Sequence, residues 1–527
     1  MIKSLRQSRR NKLVLAFRKR WGLSEPGEPS PAEISEYFRK VVVLRAPKHI
    51  VDDRTWSDLD MDLVFGRLNQ TLTIPGEQAL YSLLRTPPLS REPLEDRNKL
   101  MSRFIEDRDL REKVQLALAK LGRVGGKFIG SLLWDERPTP NRPAFLYPWI
   151  LLLVPLFVVW GILGHSLGWI ALGALSLANA VIHYRNKRKF TEDLPSIRYL
   201  GRLVLCAGRL SRLRDSSLEV YFSRLRSALD EVSGIVPRTA LLSLGENNAL
   251  YEYFNILFLM EVRAFHSYLK LMKNHESELR EVFEIVGFLD AVVAAASYKA
   301  GLAIFSKPEF TDSVPYLAIE DAVHPLLEKP VPNSLSLKKG GMLVTGSNMS
   351  GKTTFLKTIG VNMILAQTLN FCLAGKFVSS FFDTLTLIGR KDNIIEGKSY
   401  YLDEITSLLR IIHASRQVTP CLCLIDELFR GTNSVERISA SVEVLLYLAT
   451  QNALVFASTH DLELTRLVAG AYANFHFEEE IGEGGLVFNY RLRKGPSETR
   501  NAIKLLRHIG YPEEITEAAE KRTRGMS

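Results

Sequence analysis

The residues best suited to chemistry in this chain form a glycine-bounded loop, Gly346-Ser-Asn-Met-Ser-Gly351, followed by Lys352 and Thr353. Glycines let backbone N–H groups curl around a phosphate, Lys352 can reach the β- and γ-phosphates, and the Thr353 hydroxyl can bind Mg²⁺. Residues 341–345 predict a short buried strand before the loop, and residues 354–365 predict a helix after it. This order predicts a phosphate-binding P-loop. Its nucleotide-binding residues are Gly346, Ser347, Asn348, Met349, Ser350, Gly351, Lys352, Thr353 and Thr354.

Two acidic residues, Asp426 and Glu427, follow a second apolar segment at residues 421–425. In a P-loop protein, the first acid of such a pair holds Mg²⁺, usually through water, and the second polarises the attacking water. A surface acidic pair is the alternative, which the five preceding apolar residues disfavour. We therefore predict Thr353 and Asp426 as the metal-binding residues and Glu427 as the general base of a Mg²⁺-dependent ATP hydrolysis.

A histidine lies after a third predicted strand, at residues 454–457, in the segment Ser458-Thr-His460-Asp461. His460 could hydrogen-bond the γ-phosphate and report its presence. A purely structural role is the alternative, since an isolated histidine in a sequence carries no sign of its function.

Length and cysteine usage limit the class of protein. A chain of 527 residues is too long for one hydrophobic core and suggests about three domains. None of the four cysteines has zinc-ligand spacing, and Cys421 and Cys423 are expected as buried thiols in a reducing, cytosolic setting. No secretory signal is visible, because the apolar segment 13–17 after the basic N-terminus is too short for a signal core.

Between Arg142 and Arg185 the sequence contains no Asp, Glu, Lys or Arg. Segments 145–163 and 167–184 each cover close to the roughly 30 Å of a bilayer's hydrocarbon core. They predict a two-helix transmembrane hairpin at 145–184, and a buried helical hairpin in a soluble domain is the alternative. Because basic residues flank the hairpin and its loop is uncharged, we expect a multi-pass protein of the cell (inner) membrane with both termini cytoplasmic.

The net charge of +10 is concentrated near this hairpin. Residues 1–20 hold eight Lys and Arg and no acid, and residues 185–214 carry a balance of +7, so the rest of the chain is about −5. Basic clusters beside a membrane attract anionic lipids at about 1 kcal/mol per residue. Lipid is therefore sufficient to explain the charge, and DNA is not needed to account for it.

The expected fold is mixed, with a helical core and lever, the transmembrane hairpin and a C-terminal α/β P-loop domain. Residues 55–125 and 195–305 read as helical, with 247–305 as the clearest long run. The expected domains are a basic arm and linker (1–50), the first part of the helical core (51–142), the hairpin (143–184), the core and lever (185–310) and the ATPase domain (311–527).

Together, the motifs resemble the MutS family of DNA mismatch-repair ATPases. The residues that carry this resemblance are Thr345-Gly-Ser-Asn-Met-Ser-Gly-Lys-Thr-Thr354, Asp426-Glu-Leu-Phe-Arg-Gly-Thr432, Ser458-Thr-His460, Arg390-Lys-Asp392, Glu396-Gly-Lys-Ser-Tyr-Tyr401 and Glu404. Weaker likeness extends over residues 52–124 and 500–517. The resemblance implies a homodimer of ABC-type ATPase domains with composite sites. Ser399 would then reach across the dimer to the other subunit's γ-phosphate.

The sequence also departs from this family. Only about 50 residues precede the helical core, so the mismatch-reading and connector domains are not expected, and no Phe-x-Glu wedge occurs in a suitable place. Pro330 stands where members often carry an aromatic residue that stacks on adenine, and Phe429 stands where glycine is usual.

Two functions follow as hypotheses. The first is a membrane-anchored MutS-like ATPase that binds DNA through phosphate contacts, without selectivity for mismatches. The second is a membrane-tethered, ATP-driven scaffold or signal relay that binds anionic lipid or a protein partner. An ABC transporter subunit is disfavoured, because two spanning segments are few for a permeation path and no Leu-Ser-Gly-Gly-Gln signature occurs.

Overall fold

The computed structural model describes residues 2–24, 34–125, 129–135, 149–190, 194–241, 249–312, 315–347, 349–388, 400–429, 433–482, 485–497, 506–507 and 509–525. Helices make up the chain as far as Ala300, and strands and helices alternate from Glu309 onwards. The mixed fold expected from the sequence is therefore confirmed.

The N-terminal part contains helices only. They are α1 (Ile2–Arg20), α2 (Ser35–Arg45), α3 (Asp53–Asp58), α4 (Met61–Leu68), α5 (Ile74–Arg85), α6 (Arg91–Glu106), α7 (Arg108–Leu121), α8 (Ile129–Trp134), α9 (Ile150–Ile162), α10 (Ser166–Phe190), α11 (Leu194–Leu210), α12 (Glu219–Val232), α13 (Ile235–Leu241), α14 (Ala249–Phe258), α15 (Met260–Asn274) and α16 (Glu276–Ala300).

Side-chain caps explain where several of these helices begin. Asp52 accepts a hydrogen bond from Thr55 N before α3, Thr73 accepts one from Gly76 N in α5, and Asp107 accepts one from Leu110 N in α7. Each cap satisfies an N–H group that the first turn of a helix leaves without a partner. The helices predicted over residues 55–125 are confirmed.

Helix α16 is the centre of the helical part, because its residues from Leu279 to Lys299 are mostly buried. It contacts α5 so closely that a Cβ atom on Gly287 would lie 2.6 Å from the Pro75 carbonyl oxygen. The buried Asp290 carboxylate of α16 accepts hydrogen bonds from Leu72 N, Thr73 N and the Thr73 hydroxyl. Burial raises the pKa of Asp290 to about 6, against the lowering effect of these hydrogen bonds.

The long helical run expected at 247–305 is divided into α14, α15 and α16. At the first break, Leu259 has a φ of 48° and the Asn255 side chain accepts a hydrogen bond from Glu261 N. A side chain that caps the next helix competes with continuation of the previous one, which is why periodicity alone missed the break. Helix α2 is also new, since it falls within the expected arm and linker and packs into the core through Tyr37 and Phe38.

Helices α9 and α10 form the apolar pair predicted as a hairpin. A Cβ atom on Gly168 would lie 2.5 Å from Gly161 N, so the two helices touch through small residues. Among the described residues, Ser166–Arg185 is the one helical segment long and apolar enough to cross a membrane, and length and composition alone support that role. Helix α9 has 13 residues, or about 20 Å, and residues 145–148 before it lie outside the described chain. The transmembrane hairpin therefore stays a prediction.

The C-terminal part carries two sheets. Its strands are β1 (Glu309–Phe310), β2 (Tyr316–Ala322), β3 (Asn333–Lys338), β4 (Gly340–Thr345), β5 (Lys376–Ser379), β6 (Asp383–Leu387), β7 (Cys421–Asp426), β8 (Ala453–Ser458), β9 (Ala473–Gly482) and β10 (Gly485–Lys494). Its helices are α17 (Lys352–Leu369), α18 (Tyr400–Ser415), α19 (Ser434–Thr450), α20 (Leu462–Leu467) and a C-terminal helix, Glu513–Gly525.

The larger sheet positions the chemistry. Its strand order is β10-β9-β4-β8-β7-β6, and neighbouring strands are parallel except for the antiparallel pair β9 and β10. The three predicted strands are confirmed as β4, β7 and β8, which are fully buried and adjacent. Their carboxyl ends therefore open at one edge of the sheet, where α/β proteins bind ligands. The smaller sheet has the order β1-β5-β2-β3.

The four cysteines, Cys206, Cys372, Cys421 and Cys423, are buried free thiols. The burial expected for Cys421 and Cys423 is confirmed, and their sulfur atoms lie 3.4 Å apart within β7. Burial raises the pKa of Cys372 to about 12, so this thiol stays protonated.

Candidate functional site

The glycine-bounded loop connects the end of β4 to the start of α17. Its backbone has positive φ angles of 146° at Gly346, 70° at Met349 and 108° at Gly351. A Cβ atom on Gly346 would also lie 2.8 Å from the Ser350 hydroxyl oxygen and 3.0 Å from Phe477 O. Both glycines are thus required for the loop's conformation. Asn348 lies outside the described residues.

Lys352 lies inside the curl of this loop. Its Nζ atom donates hydrogen bonds to Gly346 O and Ser347 O, each at 2.8 Å, and lies 3.4 Å from His460 Nε2. The side chain is nearly buried. A buried ammonium group that is bonded to two carbonyl groups of the loop is in place to meet an anion there.

The Asp426 carboxylate is fixed at the end of β7 by two hydroxyl groups. Thr353 Oγ1 donates to Asp426 Oδ2 at 2.9 Å, and the Ser458 hydroxyl donates to Oδ1. The three residues follow three neighbouring parallel strands, which explains why residues far apart in sequence meet here. Ser458 was not among the predicted site residues, although its place at the end of a predicted strand was a usable signal.

Glu427 and His460 are in contact, with Glu427 Oε1 at 2.8 Å from His460 Nε2. Glu427 has a φ of 57°, a left-handed conformation that is uncommon for a residue with a side chain. Such backbone strain is concentrated at functional sites. The pair lies beside Lys352, so a histidine that could have been purely structural lines the same site.

These residues line a cleft of about 810 Å³. The sequence-predicted residues that line it are Ser347, Met349, Gly351, Lys352, Thr353, Thr354, Asp426, Glu427 and His460. The structure thus brings the three sequence motifs together in one place. Gly346 and the buried Ser350 belong to the adjoining loop.

The cleft is also lined by Leu327, Pro330, Val331 and Tyr490, and the Tyr490 ring lies beside Gly351 of the loop. Sequence reasoning missed Tyr490, whose place depends on an irregular register between β9 and β10 at residues 488–492. Asn333 Nδ2 donates to Tyr490 O at 3.0 Å, and Asn333 Oδ1 accepts from Leu492 N at 2.7 Å. The tyrosine supplies an aromatic ring to a cleft in which Pro330 has none.

Two further residues quoted for the family resemblance meet next to the cleft. Phe429 N donates a hydrogen bond to Glu404 Oε1 at 2.7 Å, and Phe429 has a φ of 55°. Glycine would adopt this left-handed backbone at a lower cost than phenylalanine does. Ser399 and residues 389–398 lie outside the described residues, so the predicted contact across a dimer is untested.

The chemistry of the site fits a magnesium-bound nucleotide. Among the described residues, the buried Ser350 hydroxyl has no hydrogen-bond partner, and Lys352 donates to two neutral loop carbonyl oxygens, which are weaker acceptors than phosphate oxygens. Thr353 and Asp426 offer the hydroxyl and carboxylate oxygens that Mg²⁺ takes beside phosphate oxygens. Across the described residues, no cluster of three or more His, Cys, Asp or Glu could hold a metal ion by itself. A metal here would therefore depend on the phosphates of a nucleotide.

A family model described as MutS domain V matches residues 342–527. This range begins inside β4 and includes the loop, Asp426, Glu427 and His460. Residues 342–527 therefore form a domain of the MutS domain V family. The matched domain includes the loop, Lys352, Thr353, Asp426, Glu427 and His460, which line the cleft or adjoin it.

Curated MutS relatives align with more of the chain. The DNA mismatch repair protein MutS of Thermus thermophilus is 28% identical over 499 residues, which cover 87% of this chain and 60% of that protein. MutS of Bacillus licheniformis is 30% identical over 291 residues, covering 53% and 33%, and human MutS protein homolog 4 is 32% identical over 245 residues, covering 42% and 25%. The chain thus spans about 60% of the length of the Thermus relatives.

Proposed function

We propose that this chain hydrolyses ATP to ADP and phosphate with Mg²⁺ in the cleft at the edge of β4, β7 and β8. The convergence of Lys352, Thr353, Asp426, Glu427 and His460 on one cleft is the observation that carries the proposal. We further propose that the chain works as a homodimer of such domains, in which Ser399 reaches the partner's nucleotide.

Each proposed role follows from a contact. Lys352 exchanges its two loop carbonyl groups for phosphate oxygens, which are stronger acceptors because they are charged. Thr353 and Asp426 hold the metal ion through the oxygens that now bond each other. When bound, Mg²⁺ neutralises negative charge on the phosphates.

Glu427 acts as the general base. It accepts a proton from water while the water oxygen forms a bond to the γ-phosphorus, and the bond from that phosphorus to ADP breaks. His460 holds the Glu427 carboxylate at 2.8 Å and so fixes the direction in which it accepts the proton. Tyr490 and Pro330 line the same cleft, and the Tyr490 ring, which lies beside Gly351 of the loop, offers an aromatic surface to the nucleotide.

The first candidate function is the coupling of ATP hydrolysis to DNA binding. It is supported by relatives that carry the name DNA mismatch repair protein. We propose binding through phosphate contacts, without selectivity for mismatches. The helical part with α16 at its centre would carry the conformational change from the ATPase domain to the DNA.

A membrane-tethered scaffold is the second candidate, favoured by the exposed apolar side chains of α9 and α10. Leu152, Ile162, Leu163 and Leu177 are each more than 60% exposed, which is unusual for so many neighbouring leucines and isoleucines on a soluble surface. On this proposal, the hairpin lies in the inner membrane, both termini are cytoplasmic, and anionic lipids bind the basic flanks.

One experiment separates the two candidates. We would measure ATP turnover of the full chain in detergent, adding duplex DNA, branched DNA or anionic vesicles separately, with Lys352→Ala as the inactive control. If DNA is the partner, DNA stimulates turnover, and log affinity falls with log salt by about 0.9 for every phosphate contacted. Stimulation by vesicles with no duplex binding at low salt would instead identify the scaffold, and no turnover at all would overturn the ATPase.

A further inference from the structure

The base of the apolar helix pair packs on two helices that follow much later in the chain. Ile150 and Val154 of α9 form a buried cluster with Leu259 and Val262, at the junction of α14 and α15. Asn179 of α10 is buried and donates a hydrogen bond from Nδ2 to Leu257 O at 2.8 Å. Helix α14 is therefore held against the apolar pair by both packing and a buried hydrogen bond.

The position of this contact along α10 shows how deep the end of α14 would lie in a bilayer that α10 crosses. The apolar segment Ser166–Arg185 has 20 residues and spans about 30 Å. Asn179 lies 13 residues after Ser166, so the contact with Leu257 is about 20 Å along the segment and about 10 Å from its basic end. If α10 crosses the bilayer, the end of α14 lies within the leaflet next to the cytoplasm.

A helix at this depth in the bilayer needs an apolar surface, and α14 has one. Tyr253 and Phe254 are 74% and 55% exposed, and they continue the exposed apolar surface of α9 and α10. The backbone at the end of α14 is also satisfied, because Asn179 bonds Leu257 O and the Asn255 side chain bonds Glu261 N. Backbone breaks are tolerated at membrane depth only when side chains satisfy them in this way.

A second cleft, of about 870 Å³, opens between α9, α13, α14 and α15. Its apolar lining includes Leu151, Phe254, Phe258 and Met260, and its charged residues are Arg238 and Arg263. The cleft therefore combines an apolar wall with two guanidinium groups and lies at the cytoplasmic end of the apolar pair.

The two arginines lack the partners that arginines in proteins usually have. Arg238 donates from Nε to Ser267 Oγ at 2.7 Å and from a terminal nitrogen to Gly234 O at 2.5 Å, which fixes its direction. Within the described part of the chain, neither Arg238 nor Arg263 forms an ion pair with a carboxylate. Burial, with no opposing charge, lowers the pKa of Arg263. Two unneutralised guanidinium groups beside an apolar wall match a ligand with a phosphate and hydrocarbon chains.

We propose that this cleft binds one anionic phospholipid of the cytoplasmic leaflet, whose phosphate contacts Arg238 and Arg263 and whose acyl chains lie against Phe254 and Phe258. The inference rests on the proposed membrane attachment and adds to it a defined site. A soluble phosphate would leave the apolar wall exposed, and a zwitterionic phospholipid would bring its own cation beside its phosphate, so an anionic phospholipid satisfies both parts of the cleft.

The test uses the full chain in nanodiscs that contain phosphatidylcholine and phosphatidylglycerol in equal amounts. Native mass spectrometry then counts the lipids that stay with the released protein. The test variant combines Arg238→Gln with Arg263→Gln. The matched control combines Lys270→Gln with Lys273→Gln, which removes the same charge from exposed positions of α15. A third variant, Arg238→Lys with Arg263→Lys, keeps the charge.

We expect the wild-type chain to retain phosphatidylglycerol in preference to phosphatidylcholine, and the glutamine variant of the arginines to lose this preference by roughly tenfold to thirtyfold. The exposed-lysine control should keep the preference, and the lysine variant of the arginines should keep part of it. An unchanged preference in the arginine variant, or none in the wild type, overturns the lipid site while membrane attachment stands. A wild-type chain that does not enter the nanodiscs overturns the attachment and the site together.

Discussion

At the scale of single residues, the segment after β7 contains two side-chain-bearing residues in left-handed backbone conformations. Glu427 has a φ of 57° and Phe429 a φ of 55°. The strain at Glu427 accompanies its contact with His460 and places its carboxylate in the cleft. At Phe429, packing offsets the cost of the backbone strain. The residue is 7% exposed and packs in the core beside α18 and β7.

This balance gives an expectation for Phe429→Gly. Relief of the left-handed conformation should stabilise by about 1–2 kcal/mol, while loss of a buried phenylalanine ring should cost about 3–5 kcal/mol. We therefore expect a net loss of about 1–4 kcal/mol, measured as a lower apparent melting temperature. Phe429→Leu, which keeps both the strain and most of the burial, is the control. A glycine variant that melts higher than the wild type would show that strain outweighs packing here.

The candidate site could be predicted largely from sequence, for a physical reason. Lys352, Asp426 and His460 each follow an apolar segment, and the carboxyl ends of parallel strands meet at one edge of a sheet. Tyr490 could not be predicted, because its backbone contact is Asn333, 157 residues earlier, and the strand register beside it is irregular. Which aromatic residue lines a cleft depends on such tertiary details.

At the scale of elements, α5 and α16 are in very close contact in the helical part. A Cβ atom on Gly76 would lie 2.1 Å from Asp290 Oδ2, so α5 can approach α16 only because position 76 is glycine. Asp290 cannot move aside easily, because it accepts three hydrogen bonds from Leu72 and Thr73. The start of α5 and the middle of α16 are thereby locked together.

Two glycine-to-alanine changes test this lock. Gly76→Ala should destabilise the chain by about 1–3 kcal/mol or more, because the added methyl group displaces the Asp290 carboxylate. Gly208→Ala, in α11, meets no atom within 4 Å and should stabilise by about 0.5–1 kcal/mol through helix propensity. Thermal denaturation of both variants measures the difference. Equal effects of the two substitutions would show that the contact of α5 with α16 is looser than described.

Hydrophobic periodicity predicted most of the helices and strands. It often did not predict the residues at which they begin and end. The strands β4, β7 and β8 are continuous apolar runs, which sequence reveals well. The break between α14 and α15 depends on the Asn255 side chain, which competes with the helix for a backbone N–H group. Helix α2 was missed because the charged and proline-rich residues around it dominate the local composition.

At the scale of the whole molecule, the helical part contacts the C-terminal P-loop domain close to the candidate site. Lys357, five residues after Lys352 in α17, forms an ion pair with Asp60 at 2.5 Å. Asp58 accepts hydrogen bonds from Thr386 Oγ1 at 2.7 Å and from Ile388 N at 2.9 Å. Burial raises the pKa of Asp58 although these hydrogen bonds oppose the shift. A change in the loop that moves α17 would therefore act directly on the segment between α3 and α4.

These contacts could not be predicted from the sequence. Lys357 and Asp60 are 297 residues apart, and no local sequence pattern links a lysine on a buried helix with one particular aspartate. The same holds for the packing of α14 against the apolar pair, which depends on Asn179 and Leu257. Sequence identified the parts that carry the chemistry, and the folded chain was needed to see how they are connected.

The most direct test of the proposed ATPase is the single-turnover hydrolysis of ATP by Glu427→Gln, compared with the wild type and with Glu443→Gln. Glu443 lies exposed on α19, so its change removes the same charge away from the cleft. We expect Glu427→Gln to bind ATP as the wild type does while turnover falls by about 10²–10⁴-fold, the usual contribution of a general base. Glu443→Gln should hydrolyse ATP at the wild-type rate. Unchanged turnover in Glu427→Gln would contradict the proposed role of Glu427 as the base.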